Sequence, residues 1–165
     1  MEAVTSGFCN IASGRGAVGC SLTGEGEIAI GIGALAAAVT GRDKIAIGLA
    51  SMDALTSGIC NVAIGTNALG ASTTGCLNIA MGVQAMGAGV TTGIDNVAIG
   101  TNTMDALTSG CCNIAIGRGA VGGSLTGKGE IAIGIGALAA AVTGIDNIAI
   151  GLASMDALTS GICNV

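Results

Sequence analysis

The sequence predicts an all-β protein: a parallel β-solenoid, a β-roll or β-helix with one 17-residue coil per repeat. Three observations carry that prediction. The first is a period. A core reading Gly-x-x-[Asn/Glu/Lys]-[Ile/Val]-Ala-[Ile/Met]-Gly, with Ser13 its one internal departure, opens at Gly7, Gly24, Gly41, Gly58, Gly75, Gly93, Gly110, Gly127, Gly144 and Gly161. Every step is 17 residues except the 18 from Gly75 to Gly93. A fixed short period marks a stacked array, and 17 residues suit one solenoid turn but not a pair of helices. The second is composition: 165 residues include 31 Gly, no Pro, no Trp, no Tyr and a single Phe. Without aromatic bulk the interior must be thin and filled by Ile, Val, Leu, Met and Ala. The third is alternation at the centre of each unit, the period-two signature of a strand.

The strand comes first in each coil. In Asn96-Val-Ala-Ile-Gly100, alternation sends Val97 and Ile99 to one face and Ala98 to the other. Placing the bulkier pair inside predicts an inward ladder of Ile and Val. The opposite rank is then outward and uniformly small: Ala29, Ala46, Ala63, Ala80, Ala98, Ala115, Ala132 and Ala149, with Ala12 before them. So many alanines on one outer face predict a flat surface that another chain approaches closely, an assembly face.

Seven of the ten strand signals open with Asn: Asn10, Asn61, Asn78, Asn96, Asn113, Asn147 and Asn164. An amide at a tight corner can bond backbone and stack on its counterpart in the next coil, which predicts an Asn ladder. Glu27, Lys44 and Glu130 replace it elsewhere, and Glu27 beside Lys44 is expected to form a modest exposed pair.

After the strand come an apolar anchor (Val18, Leu35, Met52, Leu69, Met86, Met104, Val121, Leu138, Met155), a few small residues and a second anchor such as Leu22, Val39, Leu55, Val90 or Leu107. The coil closes on Thr-Gly or Thr-[Ser/Thr]-Gly, where Gly is expected to supply a permissive φ. The 18-residue coil places its extra residue in this looser half, within Gly87-Ala-Gly-Val-Thr-Thr.

The units nest. Met1, Met52, Met104 and Met155 open matching segments, so three coils form a larger unit, and residues 5–62 nearly repeat as 108–165. A lone coil buries too little to offset the entropy of ordering its residues, so stability must come from contacts between coils. Residues 1–165 are expected to form a single continuous solenoid of almost ten coils. Neither end carries an atypical capping sequence, so an uncapped excerpt of a longer array is expected.

The unit Thr91-Thr-Gly-Ile-Asp-Asn-Val-Ala-Ile-Gly-Thr-Asn-Thr-Met-Asp-Ala-Leu107 resembles repeats of bacteriophage and large-virus tail-fibre-like proteins. Its Asn-x-Ala-Ile-Gly core is also similar to the head repeat of trimeric autotransporter adhesins. The resemblance spans essentially the whole chain, although a 17-residue coil is longer than the usual adhesin repeat. It implies a left-handed roll, assembly as a homotrimer or filament through the small outward residues, and an extracellular, cell-surface or virion-fibre setting.

Several classes of function fit poorly. A formal charge of −5 disfavours binding to a nucleic-acid backbone. No run of about 18 apolar residues is present, so no membrane-spanning helix is expected. There is no His and no Cys-x-x-Cys among seven cysteines, which disfavours a zinc site. Cys9, Cys60, Cys112 and Cys163 recur every third coil, roughly 14 Å apart along the axis, too far for disulfides within one rod. They are expected to be small buried or half-buried thiols, with disulfides between chains the alternative. Gly14-Arg-Gly-Ala-Val-Gly19 and Gly117-Arg-Gly-Ala-Val-Gly122 match the dinucleotide fingerprint, but no helical period follows either. Asp53, Asp105 and Asp156 are isolated and read as solvated turn residues. Neither an enzyme nor a cofactor is expected.

Three functions remain: a structural fibre or shaft, an adhesin or head that binds a cell-surface receptor, and an ice-binding protein. The last rests on one hydroxyl rank, Thr23, Thr40, Thr56, Thr73, Thr91, Thr108, Thr126, Thr143 and Thr159. The second hydroxyl, where present, is adjacent and points elsewhere. No receptor-binding insertion breaks the pattern, which favours the shaft.

Overall fold

The computed structural model describes residues 7–19, 23–37, 40–89, 91–123, 125–140 and 143–165. Nine three-residue strands form one sheet in sequence order: β1 (Ile11–Ser13), β2 (Ile28–Ile30), β3 (Ile45–Ile47), β4 (Val62–Ile64), β5 (Ile79–Met81), β6 (Val97–Ile99), β7 (Ile114–Ile116), β8 (Ile131–Ile133) and β9 (Ile148–Ile150). Each pairs in parallel with the next, like position on like position, so Ala46 meets Ala63 and Ala63 meets Ala80. Among the described residues there is no helix. The chain is a parallel β-solenoid with one coil per 17-residue unit.

The 18-residue coil does not disturb the sheet. Ile79 pairs with Val97 and Met81 with Ile99, in the same register as every other pair. The additional residue is absorbed beyond the anchor Met86, where Ala88 and Gly89 both donate to the carbonyl of Asp105. Of the second anchors, Leu55 and Leu107 are buried, while Leu22, Val39 and Val90 lie outside the described residues.

The inside of the sheet is the reverse of the sequence expectation. Ala29, Ala46, Ala63, Ala80, Ala98, Ala115, Ala132 and Ala149 are fully buried within the chain's own core, and Ala12 packs against it. The Ile and Val on either side of each alanine point outward. The physical reason is volume: a 17-residue coil encloses a narrow interior, and where one wall closely faces the other only a methyl fits. The first-anchor residues from Val18 to Leu138 supply the remaining bulk from the opposite wall.

Those anchors adopt an unusual backbone. Val18, Leu35, Met52, Leu69, Met86, Met104, Val121, Leu138 and Met155 all have positive φ, between 49° and 55°. A left-handed conformation costs an L-residue, and most of all a β-branched Val. Here the geometry is held by its neighbours: Leu35 N–H donates to Ser51 at 3.0 Å, and Met52 N–H to Ala68 at 3.0 Å. Each anchor is thus fixed by a backbone bond to the next coil while its side chain fills the core.

Glycine is demanded after the strand rather than by φ at the Thr-Gly closure. Gly48, at φ 135°, lies where a Cβ would stand 2.5 Å from the carbonyl oxygen of Gly65. The closing glycine is selected by proximity instead. At Gly75 a Cβ would sit 3.0 Å from both Asn78 Nδ2 and the Gly93 carbonyl oxygen.

Candidate functional site

Two repeating features stand out, one inside the rod and one outside. Inside, the predicted Asn ladder is present. Asn78 donates from Nδ2 to Asn61 Oδ1 at 3.3 Å and to the Gly93 carbonyl at 2.9 Å. Its own Oδ1 accepts from the backbone N–H and the Nδ2 of Asn96, both at 3.0 Å. Asn113 repeats the pattern on Asn96, at 3.1 Å from its N–H and 2.9 Å from its Nδ2. At the ends, Asn10 Oδ1 accepts from Glu27 N–H at 2.8 Å, and Asn164 donates to Asn147 at 2.7 Å. Asn61, Asn78, Asn96, Asn113 and Asn147 are fully buried, and the bonds they make satisfy amides that would otherwise be costly inside a protein.

The charged replacements are also buried, which corrects the expected exposed pair. Lys44 Nζ lies 3.0 Å from Glu27 Oε1 with neither side chain reached by solvent. Lys44 also donates to the Gly58 carbonyl at 3.2 Å, the counterpart of the bond Asn61 makes to Gly75. Burial pushes the Glu27 carboxyl up and the Lys44 ammonium down, and their mutual attraction opposes both shifts. Glu130 occupies the Glu27 position in a coil whose neighbour offers Asn147 instead of Lys44. Asn147 donates to its two carboxylate oxygens at 3.1 and 3.3 Å. Burial raises the Glu130 carboxyl above its ordinary value despite these bonds.

Outside, the sheet presents two parallel ranks of side chains, the first and third residue of every strand. Seventeen of these eighteen positions are Ile, Val or Met, Ser13 being the exception. They are partly screened by stacking on one another yet remain accessible: Ile79, Ile99 and Ile116 are each 38% exposed, and Met81 39%. Beyond the strand a third column adds exposed Ile32, Leu49, Val83, Ile135 and Leu152. Arg15 and Arg118 stand in that column, and Asp43, Asp95 and Asp146 stand at the corner before the strand, so charge lies beside the ranks and not within them. Sequence reasoning missed this surface because it placed these residues in the core.

Elsewhere the corner before the strand carries the thiols. Cys9, Cys60, Cys112 and Cys163 are exposed at positive φ, rather than buried, and Cys76 and Cys111 are half-buried. Several threonine hydroxyls of the rank turn to the backbone: Thr40 donates to the Thr56 carbonyl at 3.2 Å, Thr91 to Leu107 at 3.2 Å and Thr143 to Thr159 at 3.1 Å. Gly14 through Gly19 forms a tight turn, with Ala17 N–H donating to the Gly14 carbonyl. Among the described residues no cluster of three His, Cys, Asp or Glu is placed to hold a metal, and no helix is long and apolar enough to cross a membrane. No protein-family model, curated protein or solved structure matches the chain.

Proposed function

We propose that the protein is a structural shaft: a rod of stacked coils that serves as a fibre or filament element and associates with copies of itself. The observation that carries this reading is the unbroken nine-strand ladder in one register, which repeats the same outer side chains at every coil. A surface repeated at each step along an axis suits lateral and axial assembly, where many equivalent weak contacts add. The alanine rank cannot serve as the assembly face, because its methyls are already buried within the chain. The ice-binding alternative is less well supported, because the threonine hydroxyls donate to neighbouring carbonyls. The adhesin alternative gains no specific support.

Cryo-electron microscopy of the concentrated protein tests the proposal. Fibres of constant width with an axial repeat of about 4.8 Å are expected. Separate short rods at every concentration would overturn the shaft and move the adhesin reading ahead of it.

A further inference from the structure

We infer that the two-rank aliphatic face of β1–β9 is the surface on which a second copy of this chain docks, sheet against sheet. The inference deepens the shaft reading by naming the surface and its partner, and it rests on that reading only for its biological purpose.

Four observations converge. The face is large: its eighteen side chains, at roughly 60 Å² each, present on the order of 1,000 Å², against about 800 Å² per partner in a standard interface. It is free of charge along its whole length, whereas Arg15, Asp43, Asp95, Arg118 and Asp146 all fall beside it. It is regular where the rest of the coil is not. The one long coil takes up its extra residue away from the sheet, and β5 and β6 keep register across it. Finally, the apolar character is not needed to fill the core, which is closed by alanines and anchors from the other side. Strand preference alone would accept Thr at these eighteen positions, yet seventeen are Ile, Val or Met and Ser13 is the one hydroxyl.

The choice of a second copy over another partner follows from pitch. Every side chain on the face is separated from its equivalent by one coil, about 4.8 Å. An identical ladder has the same spacing, so its ridges seat in these grooves continuously over nine coils. A surface of any other repeat falls out of step after a few. Two such sheets packed face to face would lie about 10 Å apart, as the layers of a β-sandwich do.

Met81 supplies a native probe. It stands in the middle of the face, while Met52, Met86 and Met104 are fully buried in the core. Oxidation by dilute hydrogen peroxide, read peptide by peptide by mass spectrometry, is followed from nanomolar to high micromolar protein. If the face pairs, Met81 oxidation slows about tenfold as concentration rises, while the core methionines stay slow throughout. The triple variant Ile79→Thr/Ile99→Thr/Ile116→Thr keeps β-branched residues in the strands. It is expected to sediment as a monomer with Met81 reactive at all concentrations and Met104 still protected. Should the variant unfold, Met104 becomes reactive, and the wild-type concentration series alone decides.

A Met81 rate independent of concentration overturns the inference. So does protection that appears only on adding phosphatidylcholine vesicles at fixed protein concentration, which would make the face a lipid-binding one. Fibres in which Met81 stays reactive would refute the pairing and leave the shaft. Paired rods that never elongate would refute the shaft and leave the pairing.

Discussion

Glu130 and Glu27 hold equivalent places, yet among the described residues only Glu27 is ion-paired, with Lys44. A buried carboxylate whose charge is met by amides alone is a liability at neutral pH. Its folded-state pKa is raised above the ordinary value, so the native state holds the proton more tightly than the unfolded chain. The resulting penalty is absent below the unfolded pKa. It grows as pH rises between the two values and is complete above the folded one. Glu130→Asn would restore the ladder pattern, with an amide that donates as well as accepts. That variant is expected to be more stable than wild type by about 1–3 kcal/mol at pH 7, with the difference shrinking as pH falls toward the ordinary carboxylate range. Urea denaturation of both proteins at a series of pH values checks this, and a pH-independent difference would count against it. The pair Glu27–Lys44 also shows what sequence reasoning can miss at this scale. The periodic position of Glu27 was plain, but its depth was not, because nothing in the identity of a charged residue announces that it replaces a buried amide. The periodicity held part of the answer: a position that is Asn in most coils shares one environment along the rod, and between the end coils Glu27, Lys44 and Glu130 are as buried as Asn61, Asn78, Asn96, Asn113 and Asn147.

At the scale of the coil, the strand, its register and the amide ladder were all legible from the repeat. The direction in which the strand faces was not. Ranking by hydrophobicity put Ile inside and Ala outside, whereas interior volume decides the matter in so thin a rod. The clue lay in variability: the outer positions exchange Ile, Val, Met and once Ser, while the inner one is Ala in all nine strands, as befits a site with no room. The left-handed anchors were illegible for a different reason. Leu, Met and Val are poor residues for positive φ, and they are held there by bonds to the next coil that no local pattern reveals. The coil's polar seam can be tested directly. Asn96→Ala removes donors to Asn78 and Gly110 and leaves the N–H and side chain of Asn113 short of an acceptor. A loss of about 3–5 kcal/mol is expected, because several buried groups go unpaired together. Asn164→Ala, at the end of the ladder, removes only the side-chain bond to Asn147 Oδ1 and keeps the backbone one, and about 1 kcal/mol is expected. Equal losses at the two sites, measured by chemical denaturation, would mean that the ladder does not act as a connected unit.

At the scale of the whole molecule, each strand of the described residues contacts only its successive neighbours, from β1 to β9. The backbone bonds that join them point along the rod, from each coil to its neighbour, as from Val62 to Asn78 and from Ile79 to Asn96. Among the described residues no hydrogen bond spans more than one junction, so a rod drawn out by its ends bears tension at its junctions in series. It should yield one turn at a time. Each turn released would add roughly 50 Å of slack, the extended reach of a 17-residue turn less its own rise. Single-molecule force spectroscopy should therefore record a train of near-equal steps, whereas a single rupture of the entire chain would contradict it. A train of such steps would make the axial ladder a device that gives under load in instalments and not all at once.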